Sequence, residues 1–307
     1  MERVTFPNGE ITVVGHLFTP EDYDASAGAT LPAIVVTHPF GAVKEQVSTT
    51  YAELLAAQGF IVVVFDASYQ GESGGSPHFQ EVPAMRVEDI RCAVDFLSNH
   101  PGVDPERIGA LGICAGGGYS INAAQTEYRI KAVAGVSTFD VGSARREGVG
   151  VPISMEYRRD LLARIGQQRT AEAAGAPVEY FSLVRDNPAF DLSDPMTLPP
   201  LYREGYVYYT EIAPNARAMT EFALTSLGKQ MAFFPFEQIE TISPRPLLLI
   251  AGSEADTLNF SQNAYAKANE PKELMLIDGA SHIDLYWNPA YVPQVAEKLT
   301  EFFRSHL

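Results

Sequence analysis

The chain of 307 residues contains few cysteines, which limits the ways in which it can be held together. Cys92 and Cys114 are the only two. Two cysteines cannot build the disulfide framework of a small secreted fold, and neither has a second ligand at the spacing of a zinc site. We therefore expect each cysteine to serve either packing or chemistry, and the sequence predicts no metal site.

Basic residues are also scarce. Lysine and arginine together number 22, against 38 aspartates and glutamates, so the formal net charge is −16. The excess acid is spread along the chain, and no basic patch interrupts it. A surface of this sign repels phosphate backbones, so nucleic acid is not an expected partner.

Long apolar runs are absent as well. No stretch approaches the roughly 18 consecutive apolar residues of a membrane-spanning helix, so no membrane partner is expected. The residues 1–5 lack the charged start and apolar stretch of a signal peptide, which makes a cytoplasmic location the expectation. Hydrophobic residues make up 46% of the chain and charged residues 20%, a balance typical of soluble globular proteins with a sizeable core.

What the sequence does contain is a regular alternation of short apolar strands and helices. Residues 3–6 and 11–20 predict a hairpin that turns at Asn8-Gly9. Further strands are predicted at 31–41, 59–68, 107–113, 130–138, 245–253 and 272–280, with helices at 46–58, 84–100, from about 116, and 289–306. This alternation predicts an α/β fold with a mostly parallel central sheet and helices on both faces.

The segment 140–243 breaks this rhythm. It is richer in arginine, proline and aromatic residues, and it contains no strand of the buried type. We interpret residues 1–139 and 244–307 as the core and residues 140–243 as a mainly helical cap over the carboxyl edge of the sheet. Its aromatic rings predict an apolar pocket for a medium acyl or aromatic group, with Tyr206, Tyr209 and Phe234 as candidate lining residues; the alternative is that these rings pack the cap onto the core.

The motif Gly112-Ile113-Cys114-Ala115-Gly116 lies between a predicted strand and a predicted helix. This is the context of a nucleophile elbow, where a side chain at a strained turn leaves no room for a Cβ on its neighbours. The free N–H groups at the helix start favour negative charge on the sulfur. The motif therefore predicts that Cys114 is a nucleophile, whereas Cys92, within a regular helix, is expected to be structural.

A thiol nucleophile needs a base and a group that orients the base. His282 follows the last predicted strand and is the best placed of the six histidines. The loop after the penultimate strand supplies Asp256 or Glu254 as the carboxylate, and Asp256 is preferred. His282 is then expected to contact Cys114 on one side and the acid on the other.

Backbone N–H groups should complete the site as an oxyanion hole. The N–H of Ala115 is free at the helix start, and a second donor is expected from Phe40 or Gly41 in the segment 37–45, which follows a buried strand. His38, in the same loop, is expected to be a structural hydrogen-bonding residue rather than a second base.

These residues resemble the α/β hydrolases related to dienelactone hydrolase, and more closely the bacterial hydrolases and fungal polyketide-transferase-like proteins that carry GICAGGGY. The resemblance spans nearly the whole chain and includes the segments 38–41, 65–75, 103–120, 251–256 and 271–287. It implies an α/β-hydrolase fold with a helical cap and a Cys114–His282–Asp256 triad. Some relatives lack an aspartate in the segment of Asp256, so Glu254 or Asp284 could substitute.

The resemblance also implies the chemistry. The expected reaction is acyl transfer from a small-molecule ester, thioester or lactone through a covalent acyl-enzyme, without a cofactor. The alternatives are an acyltransferase with the same triad and a catalytically silent binding protein of the same fold. Glu72, in GESGG, is expected to brace a tight loop rather than to control the thiol. The oligomeric state is left open, with a homodimer as one arrangement.

Overall fold

A computed structural model of the protein describes residues 1–24, 28–188, 190–219 and 221–307. The strands are β1 Glu2–Asn8, β2 Ile11–Phe18, β3 Leu31–Thr37, β4 Ile61–Phe65, β5 Val103–Ile113, β6 Ile130–Val136, β7 Tyr180–Phe181, β8 Phe222–Ala223, β9 Leu247–Gly252 and β10 Lys272–Ile277. The α-helices are α1 Val47–Ala56, α2 Pro83–Ser98, α3 Ala115–Ala124, α4 Val141–Glu147, α5 Met155–Ala173, α6 Pro200–Val207, α7 Ser226–Met231, α8 Leu258–Lys267, α9 Asp284–Trp287 and α10 Val292–His306. None of the helices in these ranges is both long and apolar enough to cross a membrane.

Eight strands form one sheet in the order β1-β2-β4-β3-β5-β6-β9-β10. The strands from β4 to β10 in this order run parallel, whereas the β1–β2 hairpin and its junction with β4 are antiparallel. Every residue of β4 and of β9 is buried because helices cover both faces of the sheet. The predicted fold is therefore confirmed, including the hairpin, in which Asn8 pairs with Ile11.

The segment between β6 and β9 carries α4 to α7, as the sequence predicts for a helical cap. It also contains the short sheet β7–β8, which the sequence analysis missed because two-residue strands show no periodicity. Phe181 and Phe222 from these strands pack edge to face at 5.9 Å between ring centroids. Leu161 and Ile165 of α5 join them in a small hydrophobic core that is separate from that of the sheet. The boundaries at 140 and 243 stay predictions.

A buried ion pair anchors the loop that follows β3. The side chains of Lys44 and Asp66 are fully buried, and Nζ lies 2.7 Å from Oδ2. The N–H of Lys44 donates to Oδ1 at 2.8 Å, and the N–H of Glu72 donates to Oδ2 at 2.8 Å. Lys44 Nζ also contacts the Glu72 carboxylate at 2.8 Å. The loop after β4 thus braces the loop after β3, the role expected for the Glu72 segment.

We predict that Lys44→Met destabilises the fold by about 3–5 kcal/mol, because the change leaves a buried carboxylate without its cation. Urea unfolding followed by circular dichroism measures this loss. Glu88→Gln, which removes the partner of Arg91 in a partly exposed pair, is the control and should cost less than about 1 kcal/mol. Equal losses of unfolding free energy in the two variants would show that the buried ion pair contributes no more to stability than the partly exposed pair.

Candidate active site

Cys114 lies at the junction of β5 and α3, in a backbone conformation that residues other than glycine rarely adopt. Its φ is 55° and its ψ is −122°. A Cβ on Gly112 would lie 2.1 Å from the carbonyl oxygen of Gly116, and one on Gly116 would lie 2.2 Å from that of Thr37. The two flanking glycines are thus required by the close approach of backbone, as the motif predicts. A nucleophile elbow needs a turn of this kind, and the role of Cys114 as a nucleophile stays a prediction.

Three polar groups surround the sulfur of Cys114. The N–H groups of Ala115 and Phe40 and the hydroxyl of Tyr286 are its hydrogen-bonding partners. The side chain is only 7% exposed, and burial raises the pKa of the thiol despite these partners. Cys114 therefore rests as a neutral thiol. Gly41, the alternative to Phe40, uses its carbonyl to accept a 2.7 Å hydrogen bond from the N–H of Met219.

His282 lies between β10 and α9, where the sequence predicts the base, and it is 1% exposed. Its Nε2 is 3.1 Å from the hydroxyl of Tyr286, and its Nδ1 is 2.5 Å from Oγ1 of Thr257. Burial lowers the pKa of the imidazole to about 3, so His282 is neutral at physiological pH. The phenol of Tyr286 thus connects the imidazole to the sulfur, a link that the sequence analysis did not anticipate.

The carboxylate assignment differs from the expectation. Oδ2 of Asp256 accepts a hydrogen bond from the N–H of Leu201 at 3.1 Å, whereas Oδ1 is buried without a hydrogen-bond partner. Oδ2 of Asp284 accepts a hydrogen bond from the N–H of Ser281 at 3.0 Å, and the N–H of Asp284 donates to Oγ of Ser281 at 3.1 Å. Within the described residues, no hydrogen bond joins the ring of His282 to Asp256, Glu254 or Asp284. The turn after β9 instead brings the next residue, Thr257, to Nδ1.

His38 has the structural role that was expected. Its ring is fully buried, Nε2 accepts from the N–H of Ala67 at 3.1 Å, and Nδ1 lies 2.7 Å from the carbonyl of Pro39. Burial and the adjacent Arg86 guanidinium hold its pKa well below the usual range. The imidazole therefore stays neutral and fixes the turn that presents the N–H of Phe40.

A cavity of about 790 Å³ opens beside Cys114. Most of its lining is aliphatic and aromatic, and it includes the predicted residues Tyr206 and Tyr209. Phe234 is not among the lining residues: it is 50% exposed, and the guanidinium of Arg146 lies 4.0 Å from its ring centre. The choice of Phe234 was wrong because its position in the aromatic run gave no information on which way the ring faces.

Three residues near the reacting centre escaped the sequence analysis. Tyr286 follows His282 by four residues, the spacing that places side chains on one helical face, so a signal existed. Arg145 also had a signal, because it is a basic residue in the first helix after β6, at the carboxyl edge of the sheet. Thr257 had no signal, because a hydroxyl next to an aspartate gives no reason to prefer it.

One group of potential metal ligands appears where none was predicted. Ligand atoms of His16, Glu45 and Glu72 lie within 4.8 Å of one another. The ammonium of Lys44 contacts Glu45 at 2.7 Å and Glu72 at 2.8 Å, so a cation already neutralises the two carboxylates. The residues that line the cavity are different ones.

Sheet order, elbow and histidine loop together define an α/β hydrolase. In agreement, the solved structure of the α/β hydrolase GrgF from Penicillium sp. has the same fold, with a TM-score of 0.84 at 19% identity over 99% of this chain and 98% of that one. A model of PET hydrolase-like proteins matches residues 11–168. The chain belongs to this PET hydrolase-like family.

Two relatives are similar over most of their length. The uncharacterised protein PA2218 of Pseudomonas aeruginosa is 38% identical over 99% of this chain and 80% of its own. Its crystal structure superposes with a TM-score of 0.89, covering 100% of this chain and 93% of that chain. Thiohydrolase aneE of Aspergillus aculeatus is 31% identical over 85% of this chain and 81% of its own.

We predict that alkylation of Cys114 by iodoacetamide is slow at pH 7 and accelerates as the pH rises above about 8.5, the ordinary value for a thiol. Burial raises the thiol pKa and lowers that of the imidazole, so the neutral forms dominate at pH 7. Mass spectrometry of the Cys92→Ser protein, which retains Cys114 as its one cysteine, measures the alkylation of Cys114 alone. A rate that is already at its plateau near pH 6 would indicate a resting thiolate–imidazolium pair and contradict the neutral assignment.

Proposed function

We propose that the protein is a cysteine-dependent hydrolase of carboxylic esters or thioesters that works through a covalent acyl-enzyme. The observation that carries this proposal is the sulfur of Cys114, which lies in an elbow with the N–H groups of Phe40 and Ala115 directed at it. Donors in this arrangement can stabilise an oxyanion on a carbonyl carbon bonded to the sulfur. The histidine loop supplies the base.

In the first step, Sγ attacks the substrate carbonyl carbon. The thiol proton passes to the hydroxyl oxygen of Tyr286, and the phenol proton passes to Nε2 of His282 at 3.1 Å. Negative charge forms on the former carbonyl oxygen, where Phe40 and Ala115 donate. Because the imidazole is a weak base in its buried site, proton transfer accompanies formation of the carbon–sulfur bond rather than preceding it.

The tetrahedral adduct then collapses. The bond to the leaving group breaks, and the proton on Nε2 returns through Tyr286 to the departing alkoxide or thiolate. In the second step, His282 takes a proton from water, the hydroxide attacks the acyl carbon, and the thiol of Cys114 is released together with the acid. An alcohol or amine in place of water would give the acyltransferase alternative, which shares the acyl-enzyme and differs in the acceptor.

His282 would be oriented by a hydroxyl rather than a carboxylate. For Nε2 to accept a proton, Nδ1 must carry one, and Thr257 Oγ1 is its acceptor at 2.5 Å. A hydroxyl fixes this tautomer without stabilising the imidazolium by charge. Such a site suits substrates with good leaving groups, since a thiol is a better leaving group than an amine and would be expelled from amide adducts. The thiohydrolase name of aneE supports the thioester class.

The nucleophile assignment predicts that Cys114→Ala lowers hydrolysis of p-nitrophenyl esters and acyl thioesters by at least about 10³-fold. The thermal midpoint should stay within a few degrees, because the change removes a single buried sulfur. Cys92→Ala is the matched control and should retain activity. Assays with graded chain lengths, with and without an acceptor alcohol, separate hydrolase from acyltransferase.

Activity that persists in Cys114→Ala would exclude the mechanism. A native protein that hydrolyses none of these esters, and whose Cys114 fails to react with an acylating probe, would instead identify a binding protein of the same fold.

The proton path predicts an order of effects on kcat. Tyr286→Phe should lower kcat by about 100-fold or more, because it removes the link between sulfur and imidazole. Thr257→Val should cost about 10-fold through loss of one hydrogen bond to Nδ1. Asp256→Asn is expected to change kcat less than about 3-fold, since its carboxylate faces Leu201. A loss in Asp256→Asn as large as that in Tyr286→Phe would instead restore Asp256 as the triad acid.

A further inference from the structure

We propose that Arg145 binds a carboxylate carried by the acyl part of the substrate, so that the enzyme acts on monoesters or monothioesters of dicarboxylic acids. This inference rests on the proposed function, because it concerns the same cavity and the same nucleophile. It adds the chemical class of the acyl group, which the elbow and the histidine loop leave undefined.

Arg145 is a buried cation that makes no salt bridge with a described residue. Its side chain is 4% exposed, and Nε donates to Oε1 of Gln230 at 2.9 Å. No salt bridge to Arg145 exists among the described residues. Arg86 is buried to a similar degree but faces the carboxylate of Glu81 at 3.8 Å. A buried guanidinium is costly unless an anion accompanies it, so Arg145 has an unmet requirement that a ligand can satisfy.

The cavity is positive although the protein is strongly acidic. Its described lining includes Arg145, Arg185 and Arg203 but no aspartate or glutamate. The chain has 38 acidic residues against 22 basic ones, so a lining of this kind departs from the composition of the chain. Arg185 is exposed and already pairs with Asp186 and Glu221, and Arg203 is only partly buried, so Arg145 is the deep cation of this surface. A low-dielectric cavity with positive charge at its base favours anionic ligands.

The position of Arg145 limits where the anion lies. Its guanidinium carbon is 4.8 Å from the ring centre of Phe40, the residue whose N–H points to the sulfur. The charge of Arg145 also acts on Cys114 directly, where it favours the thiolate. An anion on Arg145 would lie in the same cavity as Cys114, and we assign it to the acyl group of the substrate. A planar guanidinium with two terminal nitrogens matches a carboxylate with two parallel hydrogen bonds.

The test compares charged esters with neutral esters of the same shape. The substrates are the mono-p-nitrophenyl esters of glutaric and adipic acid, and analogues in which an isopropyl group replaces the free carboxylate. The measured quantity is the ratio of kcat/KM for the charged ester to that for its neutral analogue. We expect the native protein to favour the charged ester, and Arg145→Met to lower the ratio by about 30-fold.

Arg146→Met is the matched control. Arg146 is the next residue of α4, contacts Phe234 and the carbonyl oxygens of Met231 and Phe233, and does not line the cavity. The ratio of kcat/KM for the charged ester to that for the neutral ester should be the same in Arg146→Met as in the native protein. Arg145→Lys, which keeps the charge and loses the planar fork, should give an intermediate ratio. Circular dichroism and the thermal midpoint establish that each variant is folded.

Two results would overturn the proposal: a native preference for the neutral ester, or an unchanged ratio in Arg145→Met. If the ratio is unchanged because both esters lose activity equally, Arg145 would be assigned to the thiolate alone. Calorimetry tests the site without turnover. Free glutarate should bind to the Cys114→Ala protein, and this binding should be lost in the double variant that also carries Arg145→Met. Failure of all ester hydrolysis with glutarate binding intact would reject the proposed function and keep the anion site.

Discussion

The close approach of α3 to the end of β5 is the constraint on which the site depends. It holds Cys114 at a φ of 55° and allows no Cβ at Gly112 or Gly116. The same contact leaves the N–H of Ala115 at the sulfur and brings the loop after β3 beside it. Lys44 and Asp66 hold that loop from behind with a fully buried ion pair. Backbone geometry thus positions the N–H groups that we propose as oxyanion donors, and side-chain identity in the loop matters chiefly for fixing that backbone.

Burial then determines the protonation states. The sulfur and the imidazole are both removed from water, which disfavours the charged form of each. Since the hydroxyl of Thr257 brings no negative charge, no described group near Nδ1 opposes the effect of desolvation on the pKa of His282. A neutral resting pair protects the thiol from oxidation and alkylation, because the thiolate is the reactive form. Reaction then depends on charge that develops on the substrate and is stabilised as it forms.

The sequence predicted the features that follow from periodicity and backbone sterics. The mostly parallel sheet, the glycine-flanked turn at Cys114 and the loop position of His282 each produce a local pattern: apolar runs, a glycine pair, or a position after the last strand. The site predictions that the structure does not support concern the direction of side chains over one or two residues. Whether Asp256 or Thr257 faces His282 depends on the turn after β9, and whether Phe234 faces the cavity depends on packing of the cap. Tertiary contacts decide both, and a single sequence does not contain them.

The cap supplies the charged group that would select the acyl part of the substrate, and the sheet has no such group in the described lining of the cavity. In the function that we propose, strand ends and the α3 terminus provide the nucleophile, the base and the oxyanion donors, none of which distinguishes one acyl group from another. Arg145, at the start of the cap, is the deep charged group of the cavity. Its burial would be destabilising in a site meant for neutral esters, since an apolar side chain of similar size would fill the space at lower cost. Retention of a buried cation beside the nucleophile is therefore most simply explained by an anionic substrate, with the cap determining specificity and the core determining chemistry.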